Sequence, residues 1–263
     1  MENLGNQYAL VTGASSGLGR CFALELARRG INTILVSLPD SGLQTIVEES
    51  KKQHVDSIGF EMDLSDESQL NALCDRINAD YQLALLINNA GCGGTRCFAD
   101  SVKDYWNHMI KLNVWVTTML THRLLPNLMQ AKEAYILNVS SMAAYTPIGY
   151  KTVYGASKSY ILHFTRSLCV ELQSTHIHVS VVTPGQMMTN KDVCRRIQRH
   201  GWLGKIGLLS PERVAQISLR QLFRHKSVIL PGWPNKLNRM AMKLIPDQIS
   251  IPLVSQIIKK EIV

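Results

Sequence analysis

Tyr154 and Lys158 lie four residues apart in a stretch of helical periodicity, so the two side chains share one helix face. An ammonium about 4 Å from a phenol, at an effective dielectric near 20, favours the phenolate by about 4 kcal/mol, or nearly three pKa units. That is an upper figure because the lysine is desolvated too, yet it draws a tyrosine from about 10 towards neutrality. The result is a general acid for a carbonyl oxygen. With eight tyrosines and 14 lysines in the chain, a YxxxK pair also arises by chance about one time in three, so the pair alone does not identify a site. A second group is Thr12-Gly13-Ala14-Ser15-Ser16-Gly17-Leu18-Gly19. Its spacing is GxxxGxG, and it falls between an apolar run and a helical pattern. Glycines there let the backbone turn tightly and approach a pyrophosphate, whose charge is favoured at a helix start. Plain turns and close helix packing use the same glycines.

These residues need elements to hold them. Residues 8–12 read as a strand that breaks into Gly13, and residues 18–29 repeat Leu18, Phe22 and Leu26 at helical spacing. Further strands are expected at 31–36, 57–60, 83–87, 135–139, 177–182 and 228–230. Helices are expected around Leu43, Ile46 and Val47 and over 69–77, 105–129, 154–172 and 211–223. Residues 83–87 (LALLI) are apolar throughout, as strands covered on both faces are. Strict alternation of this kind predicts an α/β fold, a single-domain Rossmann-like doubly wound parallel sheet of about seven strands with helices on both faces.

The motifs together resemble the short-chain dehydrogenase/reductase family. Those that carry the resemblance are TGASSGLG at 12–19, Asn88-Asn89-Ala90-Gly91, Asn113, Ser141, Tyr154-xxx-Lys158, and Pro184-Gly185 with Thr189. They stand in the family's order and spacing over residues 7 to about 190. The resemblance implies that Tyr154 is the acid/base and that Lys158 lowers its pKa and binds the nicotinamide ribose. It gives Ser141 the substrate oxygen, and Asn113 a water, held by its backbone, that reloads the proton. Cofactor contacts are implied at Gly13, Ser15, Ser16, Gly17, Leu18, Gly19, Ser37, Asn89, Ala90, Gly91, Pro184 and Gly185, with Asp63 and Leu64 at the adenine and Thr189 at the carboxamide. Each has a structural use as well: Asn88 to Gly91 as a turn holding the fourth strand, Ser141 as a cap with Ser140 its competitor, and Asn113, Asp63 and Thr189 as satisfied polars. The segment Ser37-Leu38-Pro39 follows the second strand without the carboxylate that selects NAD, so NADP is the expected cofactor. Asp40 comes too late to play that part and reads as a cap for the following helix.

The expected function is therefore an NAD(P)-dependent interconversion of carbonyl and alcohol by hydride transfer. A catalytically silent NAD(P)-binding regulator on the same fold is the alternative from another class, and the intact Asn113, Ser141, Tyr154 and Lys158 speak against it. Epimerase or dehydratase relatives on this fold are generally longer.

Length and charge frame the rest. The chain has 263 residues, 46% of them hydrophobic and 18% charged, and a net charge of +8. Residues 1–190 carry 14 Lys and Arg against 16 Asp and Glu, while residues 191–263 carry 14 against 4. A nucleic-acid binder would spread its basic residues along recognition elements, so nucleic acid is not an expected partner. The expected partners are a small carbonyl or alcohol substrate and further copies of the chain, as a homodimer or homotetramer. The six cysteines make no CxxC or zinc spacing, and no metal site is expected; His108, His122, His163, His176 and His178 read as surface or core residues. No run of about 18 apolar residues suggests a spanning helix, and a cytoplasmic location with reduced thiols is expected.

Residues 186–225 are the expected substrate cover, with Met187, Met188, Trp202, Leu203, Leu208 and Leu209 suggesting an apolar, lipid-like substrate. Residues 231–263 form a basic amphipathic tail: Leu237, Met240, Ala241, Leu244 and Ile245 make one stripe opposite Lys236, Arg239 and Lys243, and Leu253, Val254, Ile257 and Ile258 make a second. Packing of the stripes on the core or on a neighbouring subunit is favoured over weak membrane-surface contact.

Overall fold

The computed structural model describes residues 4–187 and 207–262. Seven strands, β1 (Tyr8–Thr12), β2 (Asn32–Ser37), β3 (Ser57–Glu61), β4 (Leu83–Asn88), β5 (Ala134–Val139), β6 (Ile177–Val182) and β7 (Val228–Ile229), form one sheet in the order β3-β2-β1-β4-β5-β6-β7. Every pairing is parallel. The chain winds outward from β1 in one direction, then returns to its other side at β4. The carboxyl ends of β1 and β4 therefore open a crevice between oppositely wound halves, where ligands of such sheets bind.

Each strand interior is apolar because both faces are covered. Leu85 and Ile87 of β4 pack on one side with Phe22 and Leu26 of α1 (Gly17–Arg28) and with Val214, Leu219 and Leu222 of the helix Pro211–Leu222. Ala84 and Leu86 point the other way, among Leu70, Leu73 and Ile77 of α3 (Glu67–Asp80) and Leu120 and Leu124 of α5 (Val116–Leu128). The remaining helices are α2 (Leu43–Lys51), α4 (Lys103–Ile110), α5 (Val116–Leu128), α6 (Thr152–Glu171), α7 (the Pro211–Leu222 helix), α8 (Trp233–Leu244) and α9 (Asp247–Lys259). Among the described residues, no helix is long and apolar enough to cross a membrane.

Two departures from the sequence reading concern helix ends and continuity. The expected single helix over 105–129 is two helices joined by a π-helical turn, Lys111–Trp115. Asp40 does not cap α2: Gly42 occupies the N-cap position at φ 77° without a side-chain hydrogen bond, and Asp40 itself takes φ 56° in the preceding turn. Left-handed positions at Asp40 and Gly42, either side of Ser41, turn the chain so that Gly42 and not Asp40 stands at the helix start.

Buried polar side chains join helices to strands. Asn127 near the end of α5 accepts from Leu83 N at 2.8 Å and donates to Tyr81 O at 2.9 Å, which ties the helix to the start of β4. Asn127→Ala would leave those main-chain groups unpaired at a cost of about 2–3 kcal/mol. Its melting temperature should fall by about 4–10 °C with cofactor binding retained. A melt within about a degree of the parent protein would sink this assignment.

Candidate active site

The crevice above β1 and β4 is built by main chain and small side chains. Thr12, at the end of β1, accepts from the N–H of Asn89 at 3.0 Å and of Ala90 at 2.9 Å through its hydroxyl. Asn89 Nδ2 returns the contact, donating to Thr12 O at 2.8 Å and Gly13 O at 3.3 Å. Gly13 has φ +65°, and a Cβ on Gly19 would strike the carbonyl of Gly13, so both positions require glycine. α1 then begins at Ser16, with no side-chain cap and no acidic residue in its first turn. Uncapped N–H donors behind a close-approach glycine loop are what a pyrophosphate needs, and this donor set fits a nicotinamide dinucleotide.

The supports of the outlying cofactor residues are mostly local. Ser37, at the end of β2, is buried and shares a 2.6 Å hydrogen bond with Ser41. Asp63 Oδ1 accepts from the backbone N–H and the hydroxyl of Ser65, both at 2.8 Å, and Leu64 is buried. Pro184 O accepts from Met142 N at 2.9 Å, and Gly185 lies against Asn235 of α8. Thr189, Met188, Trp202 and Leu203 lie outside the described residues. Of the expected cover, Met187 and Leu209 form a parallel bridge and pack on the core.

The other half of the crevice holds the expected catalytic residues. Asn113 sits in the π turn, buried; its Oδ1 accepts from Cys92 N at 2.9 Å, while its Nδ2 donates to Cys92 O at 2.9 Å and Ser157 Oγ at 3.0 Å. Ser157 donates to Tyr154 O at 2.8 Å, so one amide links the loop after β4 to the first turns of α6. The extra residue of a π turn rotates this amide out of the regular helix face, a distortion common at functional sites. The Asn113 carbonyl accepts from the Thr117 hydroxyl at 3.2 Å.

Ser140 and Ser141 divide their work after β5. Ser140 is buried and donates to Lys158 O at 2.7 Å, which commits it to α6. Ser141, half-buried, accepts from Ala143 N at 3.1 Å as it caps a short 3-10 turn, Met142–Ala144. Accepting there leaves its O–H to point elsewhere, and Ser159 donating to Ala144 O at 2.9 Å fastens this turn to α6. Tyr154 is half-buried, with Gly93 against its ring.

Lys158 is buried and its Nζ donates to Val139 O at 3.0 Å. Burial pushes its pKa down from 10.5 to about 8. The Nζ lies 6.0 Å from the centroid of the Tyr154 ring. The ammonium is tethered to a strand end, and desolvation is the largest cause of its lowered pKa. Cys92, beside it, is held above the usual thiol range by burial.

Several residues had no sequence signal. Asn235 of α8 is buried and donates to Gly207 O at 3.2 Å and Pro231 O at 2.8 Å, closing the strand-end loops beneath Gly185. At the opposite end of the sheet, Glu133 Oε1 lies 3.2 Å from His178 Nε2 and 3.3 Å from His225 Nε2. The two imidazoles stack with centroids 3.5 Å apart and planes 7° from parallel. Rings stacked this way cannot both aim an in-plane lone pair at one ion, so the group is a carboxylate shared by two imidazoles. Burial, then the charge of His225, lowers the pKa of His178.

Residues 7–198 match the family described as short chain dehydrogenase. The chain is 32% identical over 196 residues to hydroxysteroid dehydrogenase-like protein 1 of Gallus gallus, a match that takes in 73% of this chain and 59% of that protein. It therefore spans less than two thirds of that relative. A very-long-chain 3-oxoacyl-CoA reductase-like protein of Arabidopsis thaliana is 30% identical over 250 residues, 92% of this chain and 78% of the other. The solved short-chain dehydrogenase of Sphingobium yanoikuyae in complex with NADPH is 25% identical and superposes with a TM-score of 0.77, covering 90% of this chain and 94% of that one.

The buried ammonium has a measurable consequence. The unfolded chain binds more protons between pH 8 and 10.5, so this group's contribution to stability rises with pH through that window and its full burden, about 3 kcal/mol, is present at pH 7. Lys158→Met, which keeps the volume and gives up one hydrogen bond, should raise the melting temperature at pH 7 by about 4–8 °C. The gain should shrink towards pH 10. A variant less stable than the parent at pH 7 would show that the bond to Val139 outweighs the burial.

Proposed function

The chain belongs to the short-chain dehydrogenase/reductase family, and from that premise we propose that Tyr154 exchanges the proton with the oxygen of an apolar carbonyl or alcohol substrate. An NAD(P)-dependent oxidoreductase is what this membership makes it. The observation that carries the finer reading is the fixed placement of Lys158: a buried ammonium one helical turn beyond Tyr154, held by a strand-end carbonyl and flanked by the Asn113 amide. When bound, the cofactor supplies or receives the hydride at its nicotinamide ring.

The chain's own residues do the rest. Gly13, Ser15, Ser16, Gly17, Leu18 and Gly19 would receive the pyrophosphate at the uncapped start of α1, with Asn89, Ala90, Gly91, Pro184, Gly185 and Thr189 along the nicotinamide half. Asp63 and Leu64 would border the adenine. Ser141, accepting from Ala143 N, can donate its proton to the substrate oxygen and hold it against the Tyr154 hydroxyl. Lys158 would favour the phenolate electrostatically as Tyr154 gives up its proton. Asn113 positions both by clamping Cys92 and Ser157, and its main-chain carbonyl would hold the water that returns the proton.

NADP is the proposed cofactor. No carboxylate ends β2, and Ser15, Ser37 and neighbouring amides are the proposed contacts of a 2′-phosphate. The Arabidopsis relative bears the name of a reductase of very-long-chain 3-oxoacyl substrates and the chicken one that of a hydroxysteroid dehydrogenase-like protein, which supports a bulky, lipid-like substrate here. A homodimer or homotetramer is the proposed assembly, as is common in the family.

Tyr154→Phe should lower turnover on any active carbonyl compound by about 10²- to 10⁴-fold with NADPH binding unchanged, measured by absorbance at the nicotinamide band and by fluorescence titration. Unchanged turnover would refute the acid/base assignment. Leu38 is exposed directly after Ser37. Leu38→Asp should weaken NADPH at least about tenfold by repulsion of the 2′-phosphate while sparing NADH; equal loss of both, or of neither, would count against NADP.

A further inference from the structure

Helix α8 is inside out. The side chains it turns to the body are polar or tethered: Asn235 is buried, the Arg239 guanidinium lies 4.5 Å over the Tyr145 ring, and Met242 Sδ accepts from Thr146 Oγ1 at 3.3 Å. Facing away are Trp233, Leu237, Met240 and Leu244, 73%, 57%, 63% and 82% exposed. Their spacing of four, three and four residues makes one stripe. The sequence reading put this stripe opposite the cations and favoured its packing on the core or on another subunit; it does not cover the core of this chain. Helix α9 repeats the pattern. Ser250 and Ile258 are buried, while Ile249, Leu253 and Ile257 form an exposed row, with Ile245 and Ile262 exposed at either end.

Nine large apolar side chains are thus exposed within residues 233–262. Soluble monomers rarely leave a contiguous patch larger than a few hundred Å². Lys236, Lys259 and Lys260 on and just after the same helices are exposed, and residues 233–262 carry five Lys and Arg against two Asp and Glu. We propose that α8 and α9 dock this surface on an anionic lipid bilayer, with Trp233 and the aliphatic rows entering the headgroup boundary and the lysines meeting lipid phosphates.

Charge selects the bilayer over a second copy. An isologous contact sets a patch against itself, which here would bring lysines against lysines. Glu261 cannot neutralise them, because its side chain is buried against Lys151 Nζ at 3.0 Å and the Thr95 hydroxyl. Asp247 at the start of α9 is exposed, one carboxylate against the three exposed lysines, so most of the counter-charge must come from outside this surface.

The same contacts place the surface beside the candidate active site. Ser255 of α9 accepts from Gly149 N at 2.7 Å, and Lys151 and Thr95 belong to the segments that precede Tyr154 and follow Gly93. A lipid-like substrate would meet the protein where it meets the bilayer; this last point rests on the catalytic reading above, whereas docking does not.

The full-length protein is mixed with sedimentable vesicles of phosphatidylcholine alone or with about 30% phosphatidylglycerol, and bound protein and tryptophan emission are read without substrate. Binding to the anionic vesicles, a blue shift that Trp233→Phe removes, and loss of most binding in 0.5 M salt, about a tenfold weakening or more, are expected. Leu237→Ser/Leu244→Ser should lower partitioning at least about tenfold with an unchanged melting temperature, since both sites are exposed. Failure of the parent protein to bind anionic vesicles, equal binding by the double variant, or a dimer in light scattering that the double variant dissociates would each overturn the proposal. None of these readouts involves turnover, so an inactive enzyme that still binds would refute only the catalytic reading.

Discussion

A charged lysine withdrawn from water beside the end of a parallel strand governs the arrangement around it. Lys158 has one described main-chain acceptor for its ammonium, Val139 O at the end of β5, and the next residue, Ser140, turns its hydroxyl to the main chain of the helix that carries the lysine. Burial strips solvent from the ammonium, so an anion formed on the neighbouring phenol would supply the counter-charge that water does not. The helix cannot shift without separating Nζ from its carbonyl. The loop after β4 cannot shift either, because Asn113 holds it to Ser157 on the same helix.

Beneath that site a file of amides and hydroxyls crosses the sheet. Asn88 Nδ2 donates to Asn138 Oδ1 at 2.8 Å and Thr121 Oγ1 at 3.0 Å, and Asn138 Nδ2 donates to Thr165 Oγ1 at 2.9 Å. All four residues are buried. Asn88 Oδ1 is the one buried amide oxygen of the file without a hydrogen-bond partner, and the remaining bonds join β4 and β5, where Asn88 pairs with Asn138, to the helices on one side. The asparagine run after the fourth strand, open in sequence to a structural or a ligand-binding use, divides accordingly: Asn88 serves the sheet, and Asn89 shapes the glycine loop through its carbonyls.

What the sequence made legible was whatever depends on local spacing. Tyr154 with Lys158, the glycine loop and the strand at 83–87 are each defined within a few residues, and a parallel sheet covered on both faces follows from the alternation of strands and helices. Contacts made by residues far apart in the chain left no such mark. Asn235 carries no local motif, yet it closes two loops; Glu133, His178 and His225 come from the loop before β5, from β6 and from the loop before β7; the Glu261 side chain is buried against Lys151. The tail shows the limit most clearly, because periodicity reveals that α8 has two faces but not which of them the core accepts. Here the cation–π seat of Arg239 on Tyr145 and the buried Asn235 decide it.

The π turn has a consequence best seen as a matter of phase. On a regular helix, Met109 and Leu120, eleven residues or about three turns apart, would lie in line. The extra residue at Lys111–Trp115 offsets them by about 100°, so α4 and α5 present different sides to the molecule. Leu120 and Leu124 therefore serve the sheet, while Trp106 stacks on Phe98 of the loop after β4, with ring centroids 5.6 Å apart. One rod thus answers to two partners, and the segment between Ile110 and Val116 is constrained by its length more than by its letters. Losing a single residue there would swing Trp106 away from Phe98 and lift Asn113 off Cys92 and Ser157, while α5 kept Leu120 and Leu124 on the sheet.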